Sequence, residues 1–435
     1  MNTAEVSLEQ MLLARDERKR IQDELIKKYR LPVVSITMNI AGPQKRSRFA
    51  DFAFNDCVNM IISAFGEPKY MRKDFRQEGC QGFLVYDLDA QALKSGAEGL
   101  EEELKAGRLL DIDVISPEAG KLSRREQRRC IICGGPVFLC SRSRKHLLTE
   151  IQEKTAQMLR EMCFDKIAQM ACQSLIEEAR LTPKPGLVDE RNNGAHSDMD
   201  LPMMIKSAEC LKDYFATAAK IGYERGEDYT EKLQQAGIAA EEKMMLVSGG
   251  VNTHKGAVFA IGILCASAAA KLSGYGCIFD TAAEISSKLK ISGQRTHGSI
   301  VRNKYGSGGA RDEAAAGFPS IQMAVKYLNM GEPKLSVLLR LISKITDTNV
   351  LWRGGTEALD FLQTAAGNIL SAPERDRARL VIGLDEECIR KNISPGGAAD
   401  MFAGALLICK LETLMCDSDC QTFQGTKAQC LPELS

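Results

Sequence analysis

No stretch of this sequence reaches the ~20 consecutive apolar residues that a spanning helix needs. The nearest, Gly256–Leu272, is rich in small residues and carries Lys271 near its end, which predicts a buried helix. Formal net charge over the 435 residues is zero, so the molecule as a whole is not a polycation built for nucleic acid or a lipid surface. The opening residues, MNTAEVSLEQMLLARDERKR, are charged where a signal peptide has its apolar segment. Internal repeats and low-complexity tracts are lacking, and so is the G-x-x-x-x-G-K-[ST] spacing of a P-loop. Without a secretory pattern, the fifteen cysteines read as reduced thiols rather than a disulfide framework. These absences predict a cytoplasmic protein with neither a membrane nor a nucleic-acid partner.

What is there divides into two parts. Residues 7–30 read as a charged amphipathic helix, Val33–Ile40 as a strand, Ala41–Ser47 as a loop and Ala50–Phe65 as a helix. Gly82–Asp89 and Arg108–Ile115 read as further strands, with a Glu- and Lys-rich helix over Ala90–Ala106 between them. Strands alternating with helices predict a mixed α/β domain. From about Leu147 a long helical pattern begins, and strand signals almost vanish. We therefore expect two domains, mixed α/β over 1–152 and all-α over 153–415, followed by a frayed tail over 416–435.

In the first domain, alternation along Leu110–Ile115 puts Asp111 and Asp113 on one side of a strand. Two carboxylates at i and i+2 can hold Mg2+, which takes one or two carboxylates plus substrate phosphates. The bland alternative is a pair of solvent-facing aspartates. Asp87 and Asp89 form a competing pair. Lys45 and Arg46 follow a Gly-Pro turn and are candidates for gripping phosphate. Lys121–Lys145 holds eight basic residues and one acid, a landing site for a polyanion or an acidic protein, or else a solvated face. Within it, Cys130, Cys133, Cys140 and His146 offer the ligand types of a structural Zn2+ site.

The second domain is marked by glycine-rich loops. LTPKPGLVDERNNGAHSDMD (Leu181–Asp200) cannot be a continuous helix and carries Lys184, Asp189, His196 and Asp198. SGGVNTHKG (Ser248–Gly256) brings Lys255 after glycines that permit close backbone approach. There follow His297, GSGGARDEAAAGFP with Arg311, Asp312 and Glu313, DTNVLWRGG with Arg353, and ISPGGAADMF. Three of the four histidines fall in these loops. Five such loops in one helical domain point to convergence on a nucleotide.

These loops closely resemble triphosphoribosyl-dephospho-coenzyme A synthase over residues 165–410. LLARDERKRIQDEL, VVSITMNIAGPQK, GRLLDIDVISP and the cysteine-containing basic arm resemble apo-citrate lyase phosphoribosyl-dephospho-coenzyme A transferase over residues 7–150, with Ala41 where that family more often has Pro. The resemblance implies that the helical domain joins ATP to 3′-dephospho-coenzyme A and releases adenine. The α/β domain, nucleotidyltransferase-like in fold and chemistry, then transfers the unit to a serine of the citrate lyase acyl carrier protein (the gamma chain) and releases diphosphate. With an oxocarbenium-like transition state, Asp189 or His196 is the expected base. Lys184, Lys255, Arg311 and Arg353 are expected on phosphates, and Asp198, Asp312 and Glu313 as Mg2+ ligands. In the α/β domain, Asp111 and Asp113 are expected to hold Mg2+, Lys45 and Arg46 the diphosphate, and Arg124–Arg144 the carrier. Two alternatives stand beside this: the same maturation for malonate decarboxylase, and a non-catalytic module in which the basic arm binds nucleic acid or protein.

Overall fold

In the computed structural model, the described residues are 5–104, 106–124, 127–290, 297–306 and 309–415. The expected tail over 416–435, residues 307–308 of the Gly306–Pro319 run and the side chain of His297 lie outside them. The chain divides into two compact units, one reaching Cys163 and taking in Thr413, the other Phe164–Glu412.

The first unit is mixed α/β. Its elements are α1 (Leu8–Tyr29), β1 (Val33–Met38), α2 (Arg48–Phe65), β2 (Tyr70–Arg76), β3 (Gly79–Val85), α3 (Ala90–Glu103), β4 (Leu110–Ser116), β5 (Gly120–Lys121), α4 (Val137–Ser143) and the start of α5 (Leu148–Arg180). The strands form one sheet in the order β2-β3-β1-β4-β5, and every neighbouring pair is antiparallel. The pleat sends alternate residues to opposite faces. Val34, Ile36, Leu84, Leu110, Ile112 and Val114 pack with Phe54, Val58 and Leu93 of α2 and α3. On the other face Val33, Phe83, Val85 and Ile115 pack with Ile21 and Leu25 of α1.

That second face changes character along the strands. Beyond its apolar end, the register sets Asp74, Gln81, Thr37 and Asp111 side by side across four strands, with Ser35 beside Asp113 in the next row. The middle of α1 matches this in polarity. Arg18 reaches Gln81 at 3.4 Å and Gln22 donates to the Ser35 hydroxyl at 2.9 Å. The sheet thus buries one full face and half of the other, and leaves a polar patch.

Two readings of this unit need correction. Asp89 is not on a strand: it is the N-cap of α3, accepting from the Ala92 N–H at 2.8 Å, so no second strand-borne carboxylate pair exists with Asp87. Strand β2 is an element beyond those the sequence predicts: YMRKDFR, at the sheet edge, alternates no apolar stripe.

In the second unit every described element is a helix: the rest of α5, then α6 (Leu201–Cys210), α7 (Lys212–Glu224), α8 (Tyr229–Val247), α9 (Lys255–Leu272), α10 (Ile278–Lys288), α11 (His297–Tyr305), α12 (Ala310–Ala315), α13 (Pro319–Asn329), α14 (Lys334–Ile342), α15 (Thr348–Ser371), α16 (Glu374–Lys391) and α17 (Gly396–Leu414). Among the described residues α9 alone is long and apolar enough to cross a membrane, and it is buried along most of its length. Its alanines and glycines let neighbours approach closely: a Cβ on Gly262 would strike the Tyr214 hydroxyl of α7.

Candidate functional site

In the helical unit the glycine-rich loops meet. A side chain on Gly186 would collide with the Ile393 carbonyl, one on Gly396 with Asn349, one on Gly397 with Asp347, one on Gly309 with Thr348, and one on Gly256 with the Asp400 carboxylate. Loops far apart in sequence therefore touch through glycines, and only the missing Cβ atoms allow it. The N-termini of three long helices gather there. Asp347 caps α15 by accepting from the Asn349 N–H at 2.8 Å, and its other oxygen accepts from the Ala398 N–H of α17 at 2.9 Å. Asp400, one turn into α17, lies against Gly256 at the start of α9. Burial raises the pKa of both carboxyls, and for Asp400 the neighbouring Glu178 and Asp347 push the same way.

The loop after α5 is organised by two aspartates. Asp189 accepts from Thr182 Oγ1 and the Lys184 N–H with one oxygen, at 3.0 and 2.9 Å. Its other oxygen accepts from the Arg191 and Asn192 N–H groups at 2.7 and 3.1 Å. Four donors occupy the carboxylate and leave it a loop staple. Asp385 of α16 holds the same loop through the Gly186 N–H at 2.9 Å and Asn192 Nδ2 at 2.8 Å. Lys184 is fully buried, with its ammonium on Glu178 Oε1 at 2.7 Å.

Beyond the staple, His196 and Arg353 come together. Arg353 Nη2 stands 3.2 Å from His196 Nδ1, Ser394 Oγ stands 2.8 Å from Nε2, and Asp198 lies 3.8 Å away on the exposed side. Because a guanidinium only donates, Nδ1 accepts and Nε2 carries the proton. Burial first, and Arg353 second, lower the His196 pKa to about 4. Arg353 is fixed by the Ala195 carbonyl and Asn392 Oδ1, just before the break in α15 at Gly355, where φ is +68°.

The remaining expected residues have other partners. Lys255 pairs with Glu241 at 2.9 Å, Arg311 stacks over the Phe259 ring of α9, and Asp312 lies 3.5 Å from Arg302. Glu313 accepts from both the N–H and the hydroxyl of Ser320, closing the first turn of α13. His254, in the SGGVNTHKG loop, is a further titratable group of this region. It is buried, its Nδ1 is 2.9 Å from the Ser207 hydroxyl, and its Nε2 has no partner. Burial, then the charge of Lys184, lower its pKa to about 4.

In the α/β unit, Asp111 and Asp113 share one face of β4. Arg128 reaches Asp111 at 2.8 Å and Lys121 reaches Asp113 at 2.5 Å. Arg18 of α1 lies in the field of both aspartates, while burial lowers its pKa. Lys45 donates to the Ile40 carbonyl at 2.7 Å, and Arg46 is paired with the buried Asp51 at 3.1 Å. In the basic arm, the donor atoms of Cys130, Cys133, Cys140 and His146 lie within 4.8 Å of one another.

Two family models match this chain: ATP:dephospho-CoA triphosphoribosyl transferase over residues 164–418, and apo-citrate lyase phosphoribosyl-dephospho-CoA transferase over residues 6–162. Protein CitXG of Haemophilus influenzae is 32% identical, over 92% of this chain and 95% of its own length. Protein CitXG of Leuconostoc mesenteroides subsp. cremoris is 29% identical, over 93% and 97%. The 2-(5''-triphosphoribosyl)-3'-dephosphocoenzyme-A synthase of Haemophilus ducreyi is 34% identical, over 66% of this chain and all of its own.

Proposed function

The chain belongs to the family that fuses an apo-citrate lyase phosphoribosyl-dephospho-CoA transferase to an ATP:dephospho-CoA triphosphoribosyl transferase, and from that premise we propose how its residues divide the work. The helical unit joins ATP to 3′-dephospho-CoA and releases adenine. The α/β unit attaches the product to the citrate lyase acyl carrier protein and releases diphosphate.

The observation that carries the first assignment is the meeting of three helix N-termini at Asp347 and Asp400. Helix N-termini direct their positive dipole ends at an anion, and Asp347 already occupies part of the N–H groups of α15 and α17. Here they stand beside Arg353, and Lys255 and Arg311 lie on the first turns of α9 and α12. In this reading the triphosphate binds there and is retained, while the ribose exchanges its base for a hydroxyl of dephospho-CoA. An oxocarbenium-like transition state needs a base for that hydroxyl. Asp189, held by four donors on its own loop, positions that loop, and the role falls to His196, whose Nδ1 takes the proton once Arg353 turns from it to the triphosphate. The site holds His196 neutral and so able to accept a proton. A bound triphosphate raises its basicity by placing negative charge beside it. Mg2+ bound by Asp198 and Asp312 would neutralise phosphate charge. Both carboxylates are about half exposed, which suits an ion that keeps water and phosphate ligands. Glu313 and Lys184, engaged with Ser320 and Glu178, support the loops.

In the α/β unit, the polar half-face of the sheet is the proposed transfer site, with nucleotidyltransferase-like chemistry. Asp111 and Asp113 project from one face of β4 and fit Mg2+ held by two carboxylates and the substrate's diphosphate. The ion would stabilise the departing diphosphate. Arg18 and Lys45 supply cations, with Arg46 anchoring the loop through Asp51. The basic arm docks the carrier. The soft donors at Cys130–His146 are no Mg2+ site and suit Zn2+.

The test is incubation of the full chain with ATP, dephospho-CoA and apo-carrier protein. Free adenine and a mass gain on the carrier serine are expected. Adenine release without carrier modification would remove the second assignment, and absence of both would remove the proposal. Running the carrier of malonate decarboxylase in parallel separates the two targets.

A further inference from the structure

The arm between β5 and α5 is built around its thiols. After Arg128 the backbone folds back on itself. Arg129 bridges Pro136, the Cys130 N–H donates to the Gly135 carbonyl at 2.7 Å, and the Gly134 N–H returns to the Cys130 carbonyl at 3.0 Å. Gly134 occupies the left-handed region, with φ at +69°. This tight turn places Cys130 and Cys133 side by side. α4 then brings Cys140, and a second turn, in which the Lys145 N–H donates to the Cys140 carbonyl, brings His146.

The three thiols are free, and Cys133 and Cys140 hold their sulfurs 3.5 Å apart. A disulfide would need a bond of about 2.05 Å. Tetrahedral zinc with thiolate bonds of about 2.3 Å separates its sulfurs by about 3.8 Å, close to what is seen. An independent observation points to a ligand: His146 Nε2 is buried and has no hydrogen-bond partner. An orphaned ring nitrogen beside three thiols is the chemistry of a closed Cys3His site.

This site is tied to the transfer face. Two residues before Cys130, the Nη2 atom of Arg128 bridges Asp111 at 2.8 Å and both oxygens of the buried Glu101 at 3.1 and 3.2 Å. Arg108 donates to the Arg129 carbonyl at 3.1 Å, and the Val137 N–H to the Arg128 carbonyl at 3.2 Å. Glu101 in turn accepts from the Ile112 N–H of β4 at 2.9 Å. Thus the folded-back turn and the carboxylate strand share one arginine.

We propose that Cys130, Cys133, Cys140 and His146 bind one Zn2+, and that this clip sets the position of Arg128 on Asp111 and Glu101, making Arg128 a positioning residue of the transfer site. The second half of the statement rests on reading the α/β unit as the transferase; the metal site does not. Zn2+ is chosen over Mg2+ or Ca2+ because thiolate and imidazole are soft and borderline donors, and over a redox metal because four protein ligands close the site.

The experiment uses the full chain, purified as expressed and again after dialysis against a chelator. Metal analysis is expected to find about one Zn2+ per chain, lost in Cys133→Ser and Cys140→Ser. Reconstitution of the wild type with Co2+ is expected to give the thiolate charge-transfer and tetrahedral bands of a Cys3His site, which reads the site even where a variant fails to fold. Carrier modification should fall by about tenfold or more on metal removal while adenine release holds. Arg128→Ala should reproduce that fall with Zn2+ still bound. Arg128→Lys should recover part of it, since a single nitrogen makes all three contacts. Absence of stoichiometric metal, or a Cys133–Cys140 disulfide in the isolated protein, overturns the site. Metal-free protein and Arg128→Ala both modifying carrier normally overturns the coupling. Should the wild type modify no carrier at all, the coupling falls with the transferase reading, while the metal count still decides the site.

Discussion

Asp347 and Ala398, fifty-one residues apart, are joined by a 2.9 Å hydrogen bond from the Ala398 N–H to the carboxylate that caps the N-terminus of α15. One buried side chain thereby fixes the starts of α15 and α17 relative to each other. Replacing Asp347 with Ala removes a cap and leaves buried N–H groups unpaired, which costs about 1–3 kcal/mol. Thermal unfolding should show a lowered midpoint, and adenine release should fall with it. An unchanged midpoint and rate would mean the two N-termini do not depend on this bond.

Gly256 tests the convergence of loops at a single atom. A Cβ there meets the Asp400 carboxylate. Gly256→Ala should therefore reduce adenine release by about tenfold or more, as a misplacement of near 1 Å is enough to do. Carrier modification from supplied triphosphoribosyl-dephospho-CoA should persist. Equal loss of both activities would show that the substitution damages the chain globally.

The carboxylate pair on β4 gives the converse separation. Asp111→Asn and Asp113→Asn should each lower transfer to the carrier by on the order of a hundredfold, the scale of removing one electrostatic stabiliser. Adenine release should continue at the wild-type rate. Mass spectrometry of the carrier beside chromatography of adenine reads both. Wild-type transfer by either variant would assign the pair to the surface.

Much of the α/β unit was legible because its elements carry local signals. The alternation of Leu110–Ile115 announced both the strand and the shared face of Asp111 and Asp113. β2 was missed because an edge strand needs no apolar stripe, and Arg18 because nothing local marks it among the many cations of α1. In the helical unit the glycine loops were visible, but the division of labour within them was not. Asp189 and Glu313 look like free acids in sequence, yet their oxygens are filled by donors on nearby turns. Asp385 carries no local sign of its tie to Gly186, since its partners lie almost two hundred residues away. Asp347 did carry one, standing as an N-cap before TNVLW.

The buried histidines make stability depend on pH. His196 and His254 titrate at about 4 in the folded chain and near 6.5 when unfolded. As pH falls through that window the unfolded chain takes up their protons first. Their contribution is therefore complete above about pH 6.5 and is lost progressively toward about pH 4. Asp347 and Asp400, with raised values, act in the opposite sense: they favour the folded chain at low pH, and this fades as pH rises through their folded values. Comparing variants isolates the histidine part. The thermal midpoint of His254→Asn should fall less than that of the wild type between about pH 7 and about pH 5. Parallel slopes would contradict the assignment.

The most direct test of the account is the rate of adenine release from ATP and dephospho-CoA by the full chain and its His196→Ala and Arg353→Ala variants. With the histidine as base and the arginine on the triphosphate, each variant should lose about a hundredfold, and Arg353→Ala should also show a raised KM for ATP. Release by both variants at the wild-type rate would contradict the account.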